Sequence, residues 1–300
     1  MVKKFLILTT LIFCNLSVWG QIISGHVKYS VFDPNLFESN KVKAIGTDLN
    51  RWTGPLKIPY EFSRNLDTSE VEGIGTGAFY SQGITSLELP PNCRTIQMQA
   101  FMFCQDLQSV ELKRGLKFIE EAAFKGCISL KQLILPPSIK FLGNEAFGGC
   151  SALEEVVCGE DLETMGNGAF ARCTSLKKIT FQGGRLTSIP YECFYDNGNL
   201  DIVDIPINVR SIGERAFRYC QKMRVVRWGK VKTIGAEAFA MCHGLQYIIS
   251  DNVTPPAVNP SAFDQTIYNK AILLVPKGAE SAYRQAAVWR NFVNIQGGDK

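Results

Sequence analysis

Histidine is almost missing from this chain: two in 300 residues, His26 and His243. A centre built from several imidazoles is excluded before any motif is sought. The chain also lacks a dominant charge. Lys and Arg number 32 against 28 Asp and Glu, a net of +4, so no whole-chain field argues for nucleic acid as a partner. Gly-x-Ser-x-Gly, His-Glu-x-x-His, Gly-x-x-x-x-Gly-Lys-Ser/Thr and Cys-x-x-Cys are all absent, and with them the common hydrolase, metalloprotease, nucleotide and zinc signatures. We therefore expect no enzyme, no cofactor and no metal. Apolar residues, at 46% of the chain with 20% charged, are in the balance of a folded protein.

The first twenty residues have the layout of a secretory leader: Lys3-Lys4, an apolar run from Phe5 to Phe13, then Ser17-Val18-Trp19-Gly20 before Gln21. Cleavage after Gly20 is the expected processing. Lipidation at Cys14 is the competing one, although bulky Phe13 sits where lipoprotein signals carry a small residue. Export to the cell surface, periplasm or exterior follows. The apolar run is too short to span a bilayer and no later stretch reaches about 18 apolar residues, so no transmembrane segment is expected in the mature chain.

Self-similarity organises the rest. An apolar residue, often followed by Gly, precedes a small residue and Phe: Ile74-Gly75…Ala78-Phe79, Ile96…Ala100-Phe101, Ile119…Ala123-Phe124, Leu142-Gly143…Ala146-Phe147, Met165-Gly166…Ala169-Phe170, Ile189…Cys193-Phe194, Ile212-Gly213…Ala216-Phe217 and Ile234-Gly235…Ala238-Phe239. A degenerate copy ends at Ala262-Phe263, and the Phe-to-Phe steps are all 22 to 24 residues. A second signature follows each Phe in phase, as in Leu130-Lys-Gln-Leu133-Ile-Leu135 and Leu176-Lys-Lys-Ile179-Thr-Phe181. Its last residues alternate as a half-buried strand does, and Pro90, Pro136 and Pro206 stop some of these strands. One unit thus reads as a strand, a turn, a short extended piece ending at Ile-Gly, and a helical turn around Ala-Phe. Such a unit has too little apolar surface to offset the entropy of ordering its own backbone. Units must stack, with caps at the ends.

These residues resemble the BspA-like class of leucine-rich repeat proteins of bacterial surfaces, over about residues 40–300. The resemblance implies an α/β leucine-rich-repeat solenoid of about nine 22–24-residue rungs, capped at both ends, with a role in surface adhesion or host-matrix contact. The expected divisions are a signal peptide over 1–20, an N-terminal cap and degenerate first repeat over 21–71, the solenoid over 72–251, and a last degenerate repeat with C-terminal cap over 252–300. In that closing segment we expect a last strand around Ala271–Val275 and a helix around Ala279–Val288, with Tyr283, Trp289 and Phe292 covering the open apolar end. In the opening, Val42-Lys-Ala-Ile45-Gly46 and Leu56-Lys-Ile58-Pro59 fit a first rung.

Cys104, Cys127, Cys150, Cys173, Cys220 and Cys242 each lie three residues after a repeat Phe, so stacking makes them a column. Buried thiols are the favoured state, because stacked Cβ vectors run parallel; disulfides between neighbours are the competing one, since strand spacing is within bridging range. Gln82 and Asn197 replace Cys in this column, where local adjustment is expected. Gly73-Ile-Gly75-Thr-Gly77 falls in the repeat register and lacks the βαβ context of a phosphate loop. Cys242-His243 points its members apart with no acid to orient them.

Function must then lie on the surface. One outward column runs Gln108, Lys131, Glu154, Lys177, Asp201, Arg224, Gln246, alternating in sign from Lys131 to Arg224, which suits a ladder of cross-strand ion pairs. Beside it Ile134 and Val157, then Ile202, Val225, Tyr247 and Ile249, place apolar side chains near Arg224 and Arg227. These six C-terminal residues are the candidate partner-binding set, unless a loop or the cap covers them. Eight basic residues between Ile205 and Lys232 stand against one acid, Glu214. From them Arg210, Arg215, Arg218 and Lys222 form a candidate anionic-ligand patch, with neutralisation by neighbouring rungs as the alternative. The expected function is an exported, non-catalytic recognition or adhesion module. Its partner is a protein or glycan on a cell or matrix surface, and an envelope scaffold is the alternative.

Overall fold

The structure is a computed structural model that describes residues 21–24, 27–31, 41–47, 51–64 and 67–298. The leader, with Cys14 and Gly20, and His26 lie outside the described residues.

Two columns of short parallel strands carry the stack. In one, Gln132–Ile134, Glu155–Cys158, Lys178–Phe181, Ile202–Asp204, Val225–Trp228, Tyr247–Ser250, Ile272–Pro276 and Asn294–Gly298 pair in chain order. Gly83–Glu88 and Ser109–Glu111 precede them as a smaller sheet with Thr53–Lys57. In the other column the two-residue strands ending at the Ile-Gly positions pair rung to rung, from Thr95–Ile96 to Thr164–Met165 and again from Ser188–Ile189 to Ala257–Val258. Each rung buries its alternating apolar positions inward, as with Leu133 and Val156, while Gln132 and Ile134 face out.

The repeat Phe residues form the spine. Phe79, Phe101, Phe124, Phe147, Phe170, Phe194, Phe217, Phe239 and Phe263 stack with ring centroids 5.2 to 5.8 Å apart. All are buried. Offset-stacked rings at that distance gain beyond their burial, and the centroid spacing follows that of the paired strands.

The segment around each Phe is not the helical turn expected from the sequence. Two residues before and two after the Phe, the backbone takes a left-handed φ: Gln99 (57°) and Phe103 (59°) flank Phe101, and Glu145 (50°) and Gly149 (72°) flank Phe147. Successive N–H groups then point alternately within the rung and along the stack. Ala100 N donates to Gln97 O at 3.2 Å, Phe101 N to Ala123 O at 2.8 Å, Met102 N to Gln99 O at 3.1 Å, and Phe103 N to Lys125 O at 2.8 Å. An α-helix, about 10–12 Å across, would not stack at this spacing without bending the column. The left-handed residues cost strain, of order 1–3 kcal/mol each when not Gly, and each returns a rung-to-rung hydrogen bond.

The Cys column is all free thiols. Cys104, Cys127, Cys150, Cys173, Cys220 and Cys242 each direct Sγ at the carbonyl of the preceding rung's Phe, at 3.0 to 3.3 Å. Asn197 does the same with its amide, Nδ2 to Phe170 O at 2.9 Å. The position therefore requires a short buried donor. Gln82, at the first rung, instead accepts from Trp52 N at 2.5 Å.

Both ends are closed. Gln21–Ser24 and Val27–Val31 form an antiparallel hairpin on Lys41–Thr47, which pairs in parallel with Asp67–Ile74. At the other end Ile272–Pro276 is not the last strand, as the sequence suggested; Asn294–Gly298 pairs beyond it. The expected helix is shorter, Glu280–Gln285, and a 3₁₀ turn, Trp289–Asn291, follows after Val288 at φ 69°. This break turns Trp289 and Phe292 onto Phe263, at 5.8 and 5.3 Å. Trp289 Nε1 donates to Pro256 O at 2.8 Å, so its polar edge is satisfied.

Candidate strand-face recognition site

Parallel register brings the candidate partner-binding residues together. Ile202 lies opposite Val225 and Val225 opposite Tyr247; one pair along, Asp204 lies opposite Arg227 and Arg227 opposite Ile249. Because side chains alternate across a strand, Ile202, Val225, Tyr247, Asp204, Arg227 and Ile249 share the outer face, while Arg224 precedes the strand that begins at Val225. Ile202 and Tyr247 are 44% and 39% exposed, while Val225 and Ile249 are half-buried. The large apolar side chains at its two ends are therefore open to a partner.

Ion pairs fix the charged members. Arg224 makes a two-pronged contact with Asp201, Nε to Oδ1 and Nη2 to Oδ2, both at 2.6 Å. Those bonds hold the Asp201 carboxyl below its ordinary range and raise the Arg224 guanidinium. Arg227 reaches Asp204 at 3.1 Å. Lower in the same ladder Lys177 reaches Glu154 at 2.8 Å, and that bond lowers the Glu154 carboxyl. The alternating column is thus a set of cross-strand pairs, each contributing under about 1 kcal/mol where exposed. The two bonds to Asp201 direct the Arg224 guanidinium across to the preceding rung.

One joint in the sheet differs from the rest. Lys178–Phe181 meets Ile202–Asp204 through a single register pair, Lys178 with Ile202, where the next joints have three or four. This rung carries Gly183-Gly184 within a 24-residue Phe-to-Phe step, Phe170 to Phe194; Phe239 to Phe263 is the other step of that length. A groove of about 1030 Å³ opens there, lined among others by Lys178, Phe181, Ile202, Asp204, Arg224 and Gln246. Lys178 and Phe181 were not among the candidate residues. The Gly183-Gly184 pair within a long step was the signal that could have found them.

The candidate anionic patch is divided by the winding of the rung. Arg215 Nε bonds Glu237 at 2.7 Å, with Glu192 and Glu214 at 3.7 and 3.8 Å, and Arg218 shares Glu237 and covers the Tyr219 ring at 5.0 Å. Lys222 donates to Asn199 Oδ1 at 2.8 Å. Arg210 lines a different recess, with Lys230 and Lys232.

His243 does have an acid beside it, contrary to expectation: Nε2 lies 3.2 Å from Asp264 Oδ2. Cys242 nonetheless points inward to Phe217 O, at 3.0 Å, and burial pushes its thiol well up, so the pair has no neighbouring nucleophile. Among the described residues no group of three or more His, Cys, Asp or Glu could hold a metal ion.

The BspA type leucine-rich repeat region matches residues 72–196 and 159–270, with 6 copies. No curated protein matches the chain in sequence. Among solved structures, a leucine-rich repeat protein from Bacteroides ovatus ATCC 8483 is similar with a TM-score of 0.59 at 20% identity, over 87% of this chain and 80% of that one. The T. pallidum leucine rich repeat protein TpLRR is similar at 0.58 and 23% identity, over 68% and 91%. At such identities the likeness is one of fold.

Proposed function

We propose, for a chain that belongs to the BspA-type leucine-rich repeat family, that it is an exported, non-catalytic recognition module, displayed at the cell surface, whose partner is a protein bound on the strand face. One observation carries this reading: Ile202, Val225 and Tyr247 form a register-locked apolar row flanked by paired Arg224 and Arg227, beside the groove at the weakened joint. Exposed apolar and aromatic side chains set among ordered Arg are the composition of a protein interface core. The rigid interior supplies preorganisation, which lowers the entropic cost of binding.

Two measurements test it. Protease treatment of intact cells should remove the protein from the surface; full protection would contradict display. The purified 21–300 fragment should capture a partner from surface extracts, and Ile202→Asp should weaken that capture at least about tenfold by burying a carboxylate in the interface. Equal capture by Ile202→Asp and the unsubstituted chain would place the interface elsewhere.

A further inference from the structure

The eight basic residues between Ile205 and Lys232 differ in what holds them. Five are engaged: Arg215 and Arg218 by Glu237, Arg224 by Asp201, Arg227 by Asp204, Lys222 by Asn199. Arg210, Lys230 and Lys232 form no ion pair among the described residues; Arg210 has only a bond to its neighbour's backbone, Nη1 to Ile207 O at 3.2 Å. All three line one recess of about 570 Å³ past the ends of two strands, together with Asp251 to Pro256. Asp251 is the one carboxylate on the lining and is itself engaged. Among the described residues the recess therefore holds three cations against one carboxylate.

Its frame is fixed. Lys232 N donates to Arg210 O at 2.7 Å, and Ala257 N to Lys232 O at 2.9 Å, so Arg210, Lys232 and Pro256 occupy the same place on three successive rungs. Asn252 Nδ2 ties the 251–256 segment to Val231 O at 2.6 Å. The backbones that carry Arg210 and Lys232 lie at the strand spacing of ~4.8 Å, and Val253, 68% exposed, supplies an apolar rim beside half-buried Pro255.

From this geometry we infer that the Arg210–Lys230–Lys232 recess binds a sulfate- or carboxylate-bearing polysaccharide. A stiff chain with anionic groups repeated along it matches cations repeated along a rigid stack, and the C–H faces of its sugars match the Val253–Pro255 rim. An acidic peptide would first have to surrender backbone freedom. The recess shares none of Ile202, Val225 and Tyr247, so its failure leaves the protein-partner reading untouched.

The test uses the 21–300 chain and immobilised heparin hexasaccharide as the probe. Arg210→Gln combined with Lys232→Gln should weaken binding about tenfold or more and lower the slope of log affinity against log salt by about one to two, as loss of two contacts to a linear polyanion requires. Lys113→Gln combined with Lys125→Gln removes the same charge from two cations already paired with Glu111 and Glu145, and should leave binding and slope unchanged. No binding by the unsubstituted chain, or equal loss in both double variants, overturns the assignment. So does poly-L-glutamate binding as tightly as the hexasaccharide, since the recess would then read charge alone.

Discussion

The rung interior and the strand face obey opposite rules although they are made by the same 23-residue unit. Inside, one position accepts one kind of group from rung to rung. Phe repeats nine times in register, and where Cys is replaced, Asn197 restores the same bond to the same carbonyl. Outside, the equivalent positions run Lys178, Ile202, Val225, Tyr247, Ile272. The interior must satisfy every neighbour on both sides, so a change there is felt along the stack. The face has one neighbour fewer, solvent or partner, and is free to vary. Recognition is therefore placed where the repeat constrains least.

That contrast can be broken most sharply through the thiols. Burial pushes Cys93, Cys104 and Cys150 up to about 12 and raises the Cys173 thiol well above its ordinary value. At pH 8 the nine described cysteines should resist iodoacetamide in the native protein and all react in guanidinium, as counted by mass spectrometry; native labelling of the column would mean the interior is open. Next, Phe147→Ala should cost about 3–5 kcal/mol in denaturant melts. Asn197→Ala, which strands the Phe170 carbonyl, should cost about 1–3 kcal/mol. Asn197→Cys should be close to neutral, since it restores the column's usual donor and removes the buried, unpartnered Oδ1. A cost for Asn197→Cys equal to that of Asn197→Ala would refute the donor rule.

The smallest effect belongs to the face. Arg224→Ala should cost under about 1 kcal/mol, because the Asp201 pair is exposed. Its pH dependence has a definite sign. The Asp201 carboxyl is depressed in the folded protein by the bonds from Arg224, so its contribution is present above the unfolded value near 3.9 and is lost as pH falls through the folded one. The difference between the unsubstituted protein and Asp201→Asn should shrink between about pH 5 and pH 2; a difference that grew on acidification would reverse the assignment.

Much of the solenoid was legible because its period is written in bulky residues: Phe every 22 to 24 positions, and alternating apolar residues in the strands. The turn geometry was hidden, because the left-handed positions fall more often on residues such as Gln99, Glu145 and Arg215 than on glycine; the rung-to-rung bonds that hold them exist only in the stack. The cap strand Asn294–Gly298 was hidden because Gln296-Gly297-Gly298 has little strand character of its own. On the surface, the register placed Ile202, Val225 and Tyr247 in one row correctly. Counting charge along the chain could not foresee the fate of the basic run, since one rung winds past several faces and its neutralising acids, Glu192 and Glu237, come from the rungs on either side.

The most direct test of recognition by the strand face is photo-crosslinking on intact cells, with a benzophenone side chain placed either at Tyr247 or at Tyr80, which is also exposed but lies in the turn segment after Phe79. The account predicts a partner adduct from position 247 and none from position 80. An adduct from position 80 alone, or from neither, would contradict it.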